Sequence, residues 1–332
     1  MATMFGAIRR LVLAPSLADV MFAGRGFDVI PTDATRAMEA VPQAVVLGFE
    51  WGIDGEKLGD LARRLDMIDP ELRGFAYEGA TMALTIKDAT AGGKRTKALL
   101  DGPGRPHLLL SYIGIGFAMA RLPRKLWAKV LPALEPSLFH PTMSWLCVDG
   151  YGFDLAYFHR RKWVDEQRVP APYPWLGHPG YFHRAVDQGI GRALWFMHGG
   201  VPANVIAAVR RFPGHRQADL WSGVGLAATF AGGCGPEGLA VVREAAGEHR
   251  DHLGLGSVFA ATARVAAAHV PEHSAEALLA LAGVTPEDAV VLSATAHPDP
   301  AAARTEPHYE AWRTAIRAAL TAREQDGLGR AA

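Results

Sequence analysis

The apolar positions of this chain fall in blocks of helical length set off by glycine or proline, and no segment shows the alternation of a half-buried strand. Residues 11–21 predict a short amphipathic segment, with Ser16 and Asp19 as a start signal. Residues 35–50 predict a helix broken at Pro42, because proline removes a helical hydrogen bond. Residues 54–65 are charged and read as solvent-facing. Asp69-Pro70-Glu71 supplies an N-cap, a proline at the first helical position and an acid in the first turn, opening a helix to about Lys87. A loop is expected over 91–105, then a pair of helices over 107–122 and 123–134. Residues 136–152 lead through Trp145 and Asp149 to 153–158. Residues 160–177, rich in Pro, Arg and aromatics, predict a long surface loop or lid. A helix over 180–196 stops at His198-Gly199-Gly200, and further helices are expected over 202–212, 218–231, 236–250 and 254–268. Thr285-Pro286-Glu287 starts another, 306–324 forms the last, and 325–332 should fray. The expected fold class is all-α.

The helix over 180–196 organises the rest, because it carries His183, Arg184, Asp187, Gln188 and Arg192 among residues that look buried. Buried charge costs several kcal/mol unless partners satisfy it. Such partners stand in 73–84, 149–154 and 219–225.

The middle of the chain also resembles itself. Gly48-Phe-Glu50 matches Gly152-Phe-Asp154, Glu78-Gly79 matches Gln188-Gly189, and the Gly114-x-Gly116 string matches Gly223-x-Gly225, at offsets of 104, 110 and 109 residues. This predicts a single domain over 1–332, internally duplicated, with halves of about 40–135 and 145–250 and a helical extension over 251–325. Two pseudo-symmetric halves would enclose an apolar pocket and bring inward acids such as Glu50 and Asp154 toward one space.

Composition narrows the class. A chain of 332 residues with 49% apolar content and zero formal charge has no basic tract for nucleic acid. Its mean hydropathy is +0.06. The two cysteines, Cys147 and Cys234, have no metal or redox spacing, which fits a reducing cytoplasm. No apolar run approaches the roughly 20 residues of a membrane span, and the first residues do not read as a secretory signal.

Candidate chemistry rests on carboxylates set beside glycine and aromatics: Asp187, Glu78, Asp149, Asp154 and Asp219. A carboxyl held in an apolar pocket has a raised pKa and can act as a general acid; the alternative is ion pairing, Asp187 with Arg184 or Glu78 with Arg73. Arg73, Arg184 and Arg192 suit the polar end of a substrate, a carboxylate, diphosphate or phosphopantetheine. Tyr77, Tyr151, Trp195 and Trp221 would line a pocket or stabilise a cation. The Gly-x-Gly pairs read as close helix approaches rather than phosphate loops, since neither the preceding strand nor the later acid of a dinucleotide site is present. No metal set is complete, there is no Gly-x-Ser-x-Gly, and the aspartate-rich strings of isoprenoid cyclases do not occur. No cofactor is signalled, with Mg2+ entering only if the substrate is a diphosphate.

Five strings carry a resemblance: Arg73-Gly-Phe-x-Tyr-Glu-Gly-Ala-x-Met-Ala-Leu84, Gly114-Ile-Gly-x-Ala-x-Ala-Arg-Leu-Pro123, Asp149-Gly-Tyr-Gly-Phe153, Arg184-Ala-x-Asp-Gln-Gly-x-Gly-Arg-x-Leu-Trp-Phe196 and Asp219-Leu-Trp-Ser-Gly-Val-Gly-Leu-Ala227. Together they resemble domain-of-unknown-function family 1702 over residues 5–325. The resemblance implies a place in bacterial natural-product biosynthesis, notably of enediynes. The family pattern often continues Asp-Gly-Tyr-Gly-Phe with His-Glu-Gly; Asp154-Leu-Ala here points to a divergent substrate. The expected function is cyclisation or isomerisation of a long polyunsaturated chain, isoprenoid or polyketide, by acid–base chemistry, with a carrier protein as a candidate partner. Two rivals are a chaperone that shelters such a chain without turnover and a scaffold that uses the repeat only as a surface.

Overall fold

The computed structural model describes residues 16–54, 57–299 and 305–331, with side chains to 326. Among these residues every regular element is a helix. In chain order the α-helices are α1 (Leu17–Val20), α2 (Asp33–Ile53), α3 (Leu58–Asp66), α4 (Pro70–Ala91), α5 (Arg95–Asp101), α6 (Leu108–Arg121), α7 (Leu146–Phe158) and α8 (Phe182–Met197). There follow α9 (Pro202–Arg210), α10 (Gly214–Ala231), α11 (Pro236–Ala246), α12 (Arg250–Ala266), α13 (Glu272–Ala282), α14 (Pro286–Thr295) and α15 (His308–Ala331). No single helix among the described residues is long and apolar enough to cross a membrane.

Local chemistry places the ends. Ser16 and Asp19 form a capping box, and Asp69 Oδ1 accepts from the Glu71 amide at 2.9 Å. Gly199 and Gly200 stop α8 in the left-handed region, at φ 57° and 69°. Four segments differ from expectation. The α2 helix runs through Pro42 unbroken, because burial of Val41, Ala44 and Val46 on either side outweighs the roughly 3 kcal/mol that an internal proline costs. The expected loop contains α5, whose Thr96, Leu99 and Leu100 are buried and whose Thr96 amide donates to Asp88 Oδ2 at 2.8 Å. The expected helix over 123–134 is a 3-10 turn, Arg124–Lys129. Trp127 Nε1 pins that turn by donating to the Met119 and Leu122 carbonyls, and Pro132 bars its continuation. The last helix does not fray at 325 but continues through Ala331.

The glycine pairs explain how the wall is built. Residues two apart on a helix lie about 200° apart around its axis, on opposite flanks. In α6, α7, α8 and α10 the first glycine of each pair meets the preceding wall helix and the second meets the following one. A β-carbon on Gly189 would stand 1.9 Å from the Asp149 carbonyl oxygen of α7, and one on Gly191 2.0 Å from that of Leu220 in α10. The same holds at Gly150 against Ile113 (2.3 Å) and Gly152 against Val186 (2.2 Å). Gly79 of α4 meets Val45 of α2 at 1.8 Å, and Gly256 of α12 meets Ser222 of α10 at 2.0 Å. Contact pairs run in opposite order along the two chains (Gly152 with Val186, Asp149 with Gly189), so neighbouring helices are antiparallel. No side chain separates the backbones at these crossings.

The row α2, α4, α6, α7, α8, α10, α12 therefore forms a wall of chain neighbours, and α10 also touches α2, which closes it. Phe75 of α4 packs edge-on against Phe230 of α10, ring centroids 6.0 Å apart. The helices α13, α14 and α15 buttress α12, while α3 and α5 pack on α4, and α15 inserts Tyr309, Trp312 and Arg313 as fully buried side chains.

Candidate functional site

The closed wall surrounds a cavity of about 70 Å³. Three residues past the first glycine brings a side chain about 300° round the helix, to the inner face. Those positions are Phe117, Phe153, Arg192 and Leu226, and Met82 stands three past Gly79; every one of them lines the cavity. Val45 and Val46 of α2, Phe75 of α4, Tyr157 and Phe158 of α7, Phe196 of α8 and Phe230 of α10 complete most of the lining.

Glu78 is the acid in this lining that has no hydrogen-bond or ion-pair partner among the described residues. It lies one turn from both Phe75 and Met82 and is 3% exposed. Burial pushes its carboxyl up to about 8, against the pull of the Arg192 charge and with a further push from Asp149. At neutral pH the group holds its proton. Arg192 also faces the cavity. Its Nε donates to Asp149 Oδ1 at 2.7 Å, its buried Nη2 lies 2.5 Å from the same oxygen, and its guanidinium lies 4.8 Å from the Phe153 ring centroid. Asp154 lines the wall as an ion pair with Arg121 at 2.6 Å, and Arg121 stacks on Phe158. Burial raises the Asp149 and Asp154 carboxyls, while the guanidinium beside each opposes the rise.

The other sequence candidates lie elsewhere. Asp187 is held by Arg216, at 3.0 Å to Nε and 2.5 Å to Nη2, not by Arg184. Asp219 accepts from Arg184 (2.8 Å), Gln188 (2.9 Å) and Arg313 (3.2 Å). Glu310 joins the same buried network through Tyr181 (2.6 Å) and Arg313 (3.0 Å), fastening α15 to α8 and α10. Arg73 donates to the Ile68 carbonyl rather than to Glu78. Tyr77 donates to Asp66 at 3.0 Å and stacks on His107. Tyr151 packs on Trp127, Trp195 donates to the Gly232 carbonyl, and Trp221 is buried; none of these aromatics lines the cavity. Glu50 is half-buried away from it. Among the described residues no group of three or more His, Cys, Asp or Glu side chains could hold a metal ion.

The Asp219 network makes a separate expectation. Changing Asp219 to Ala removes one of the two carboxylates that neutralise Arg184 and Arg313 and leaves Glu310 to hold both, a loss of charge-assisted hydrogen bonds worth about 1–3 kcal/mol. Chemical denaturation should show that loss, while ligand binding in the cavity, measured below the unfolding transition, stays as in the parent.

Two of the cavity-lining phenylalanines, Phe117 and Phe153, have a signal in the sequence, the position three past the first glycine of a Gly-x-Gly, but it is readable only once the two glycines are known to face opposite neighbours. Comparison with known proteins gives one match: the family described as "Protein of unknown function (DUF1702)" matches residues 4–320. No curated protein and no solved structure matches the chain.

Proposed function

We propose that this chain, which belongs to the DUF1702 family, is a biosynthetic enzyme that binds an elongated polyunsaturated chain and rearranges it by proton transfer from Glu78. The observation that carries this reading is an unpartnered buried carboxyl on a mostly aromatic and aliphatic wall, whose other charged members, Arg121 with Asp154 and Arg192 with Asp149, are paired. The acid donates its proton to a terminal carbon of a double bond, leaving a cation on the adjacent carbon. Phenyl faces at 75, 117, 153, 196 and 230 stabilise that cation. Loss of a proton from a neighbouring carbon to the Glu78 carboxylate restores neutrality, so isomerisation or cyclisation needs neither oxidant nor reductant. Arg192 steadies the transient carboxylate without quenching the acid, because its nearest acceptor is Asp149.

The two halves of the wall are proposed to descend from one duplicated unit, with Met82 answering Arg192 and Phe117 answering Leu226. In that pairing Glu78 corresponds to Gln188, which is consumed by hydrogen bonds to Tyr181, Tyr309 and Asp219. Only one half then keeps a free acid. Natural-product biosynthesis, with isoprenoid or polyketide polyenes as substrates and a carrier protein as a donor of them, is the setting this reading proposes.

Protein purified from its native host and extracted into organic solvent should release such a chain. Incubation with that chain should give an isomer or cyclised product of equal mass, and Glu78→Gln should lower the rate by about 100- to 10,000-fold, as for loss of a general acid, while retaining binding. Binding with no isomeric product from the parent protein means shelter without chemistry. Full turnover in the Gln variant removes Glu78 from the mechanism.

A further inference from the structure

At the closing edge of the wall, Arg264 of α12 is almost wholly buried, 4% exposed, yet has no carboxylate within ion-pairing distance among the described residues. Its Nη1 donates to the Glu71 carbonyl and its Nη2 to the Phe230 carbonyl, both at 2.7 Å. Its Nε is buried and has no acceptor at all. The guanidinium lies 5.5 Å from the Phe75 centroid and 5.3 Å from that of Phe230. Both rings also line the main cavity. A small hollow of about 10 Å³ shows Arg264 and His107 on its wall and shares Leu110 and Phe230 with the cavity.

Two backbone carbonyls hold the guanidinium in place, and the carbonyl of Phe230 belongs to the C-terminal turn of α10, so part of this arrangement is a helix cap. A cap does not account for the rest. Glu71 acts on the guanidinium only from beyond ion-pairing distance, and a buried guanidinium with an orphaned N–H and no paired carboxylate is costly unless something anionic completes it. His107 on the same hollow is held down near 4 by burial and by the Arg73 and Arg264 charges, against the pull of Asp66, and so is neutral and brings no competing charge to an anion.

We infer that Arg264 is the head-group subsite for a long-chain carboxylate, whose oxygen accepts from Nε once the Phe75 and Phe230 rings, here in edge contact, swing apart to admit its tail past Leu110 into the cavity beside Glu78. This rests on the reading of the cavity as an apolar-chain site and adds the polarity of the chain's end. One free N–H suits a single carboxylate oxygen better than the many oxygens of a phosphate or diphosphate.

The test needs no unknown ligand. Calorimetry on the full chain with hexadecanoate, its methyl ester and hexadecyl phosphate should show hexadecanoate binding about 10- to 100-fold more tightly than the ester, the value of one charge-assisted hydrogen bond. Arg264→Met should erase that preference and leave the ester's affinity as it was; a melting curve establishes that the variant is folded, and Arg264→Lys, which keeps the charge, should keep part of the preference if Met does not fold. Equal affinity for acid and ester in the parent protein overturns the head-group assignment while the cavity stands. Tighter binding of the phosphate overturns the carboxylate in favour of a phosphate ester. Binding of none of the three overturns the cavity reading along with it.

Discussion

Glu78→Gln should leave stability unchanged below about pH 4.5 and make the protein more stable than its parent above about pH 8, by on the order of 5 kcal/mol. In the parent, the acid is protonated below pH 4.5 in both the folded and the unfolded chain, so it contributes no pH dependence there. Between its ordinary value of 4.5 and its folded value of about 8, the unfolded chain releases the proton and the folded chain keeps it. The folded state then binds more protons, and stability declines with rising pH across that window. Above about 8 the carboxylate is charged in both states and the loss is complete. Gln keeps the size and carries no proton to lose, so every other titration cancels in the difference between the two proteins. Midpoints of urea unfolding from pH 4 to pH 9 measure it; a flat difference means that Glu78 ionises like a solvated carboxylate. The same ionisation should switch off turnover as pH passes about 8, since the proton donor is then spent.

The second large effect is steric. Gly189→Ala or Gly223→Ala should prevent folding or cost more than about 4 kcal/mol, at the extreme end of single substitutions. The new β-carbon would lie 1.9 Å from the Asp149 oxygen in one case and 1.9 Å from that of Gln188 in the other, and both obstacles are backbone. Gly59→Ala is the control: it lies in α3, a β-carbon there meets nothing within 4 Å, and alanine in a helix is favoured over glycine by about 1 kcal/mol. Thermal melting should move in opposite directions for the two kinds of change. Similar melting points for all three variants would mean that the helices are not in backbone contact.

These contrasts show what can be read from the chain before its structure. The helices, the caps at Asp69 and Thr285 and the glycine stop after His198 are local chemistry, and local chemistry is written in consecutive residues. Pro42 misled because its penalty is local while the packing that overrides it is not. The site was half legible. An acid next to a wall glycine, Glu78, marks the inner face, but the aromatics at 77, 195 and 221 do not share it. A buried Tyr or Trp needs an acceptor for its O–H or N–H, and Tyr77 and Trp195 find theirs at Asp66 and Gly232, away from the apolar interior. Phenylalanine has no such need and fills the cavity. The acid–arginine pairs were unreadable because their members stand 29 to 43 residues apart, as Asp187 with Arg216 and Asp149 with Arg192.

In the wall, helices that touch are also adjacent in the row along the chain, except at one place. There Arg264 reaches Glu71 across 193 residues, and Phe75 reaches Phe230. The ordinary crossings are backbone against backbone, where nothing can rotate out of the way; this one is made of side chains, which can. Assembly can proceed helix by helix as a zipper whose final tooth is that junction, since long loops close last. In the finished protein the same junction is the hinge-side of a clasp: amides of α10 and α12 near 230 and 264 should exchange with deuterium faster than those at the glycine crossings, and a long ligand seated there would slow them.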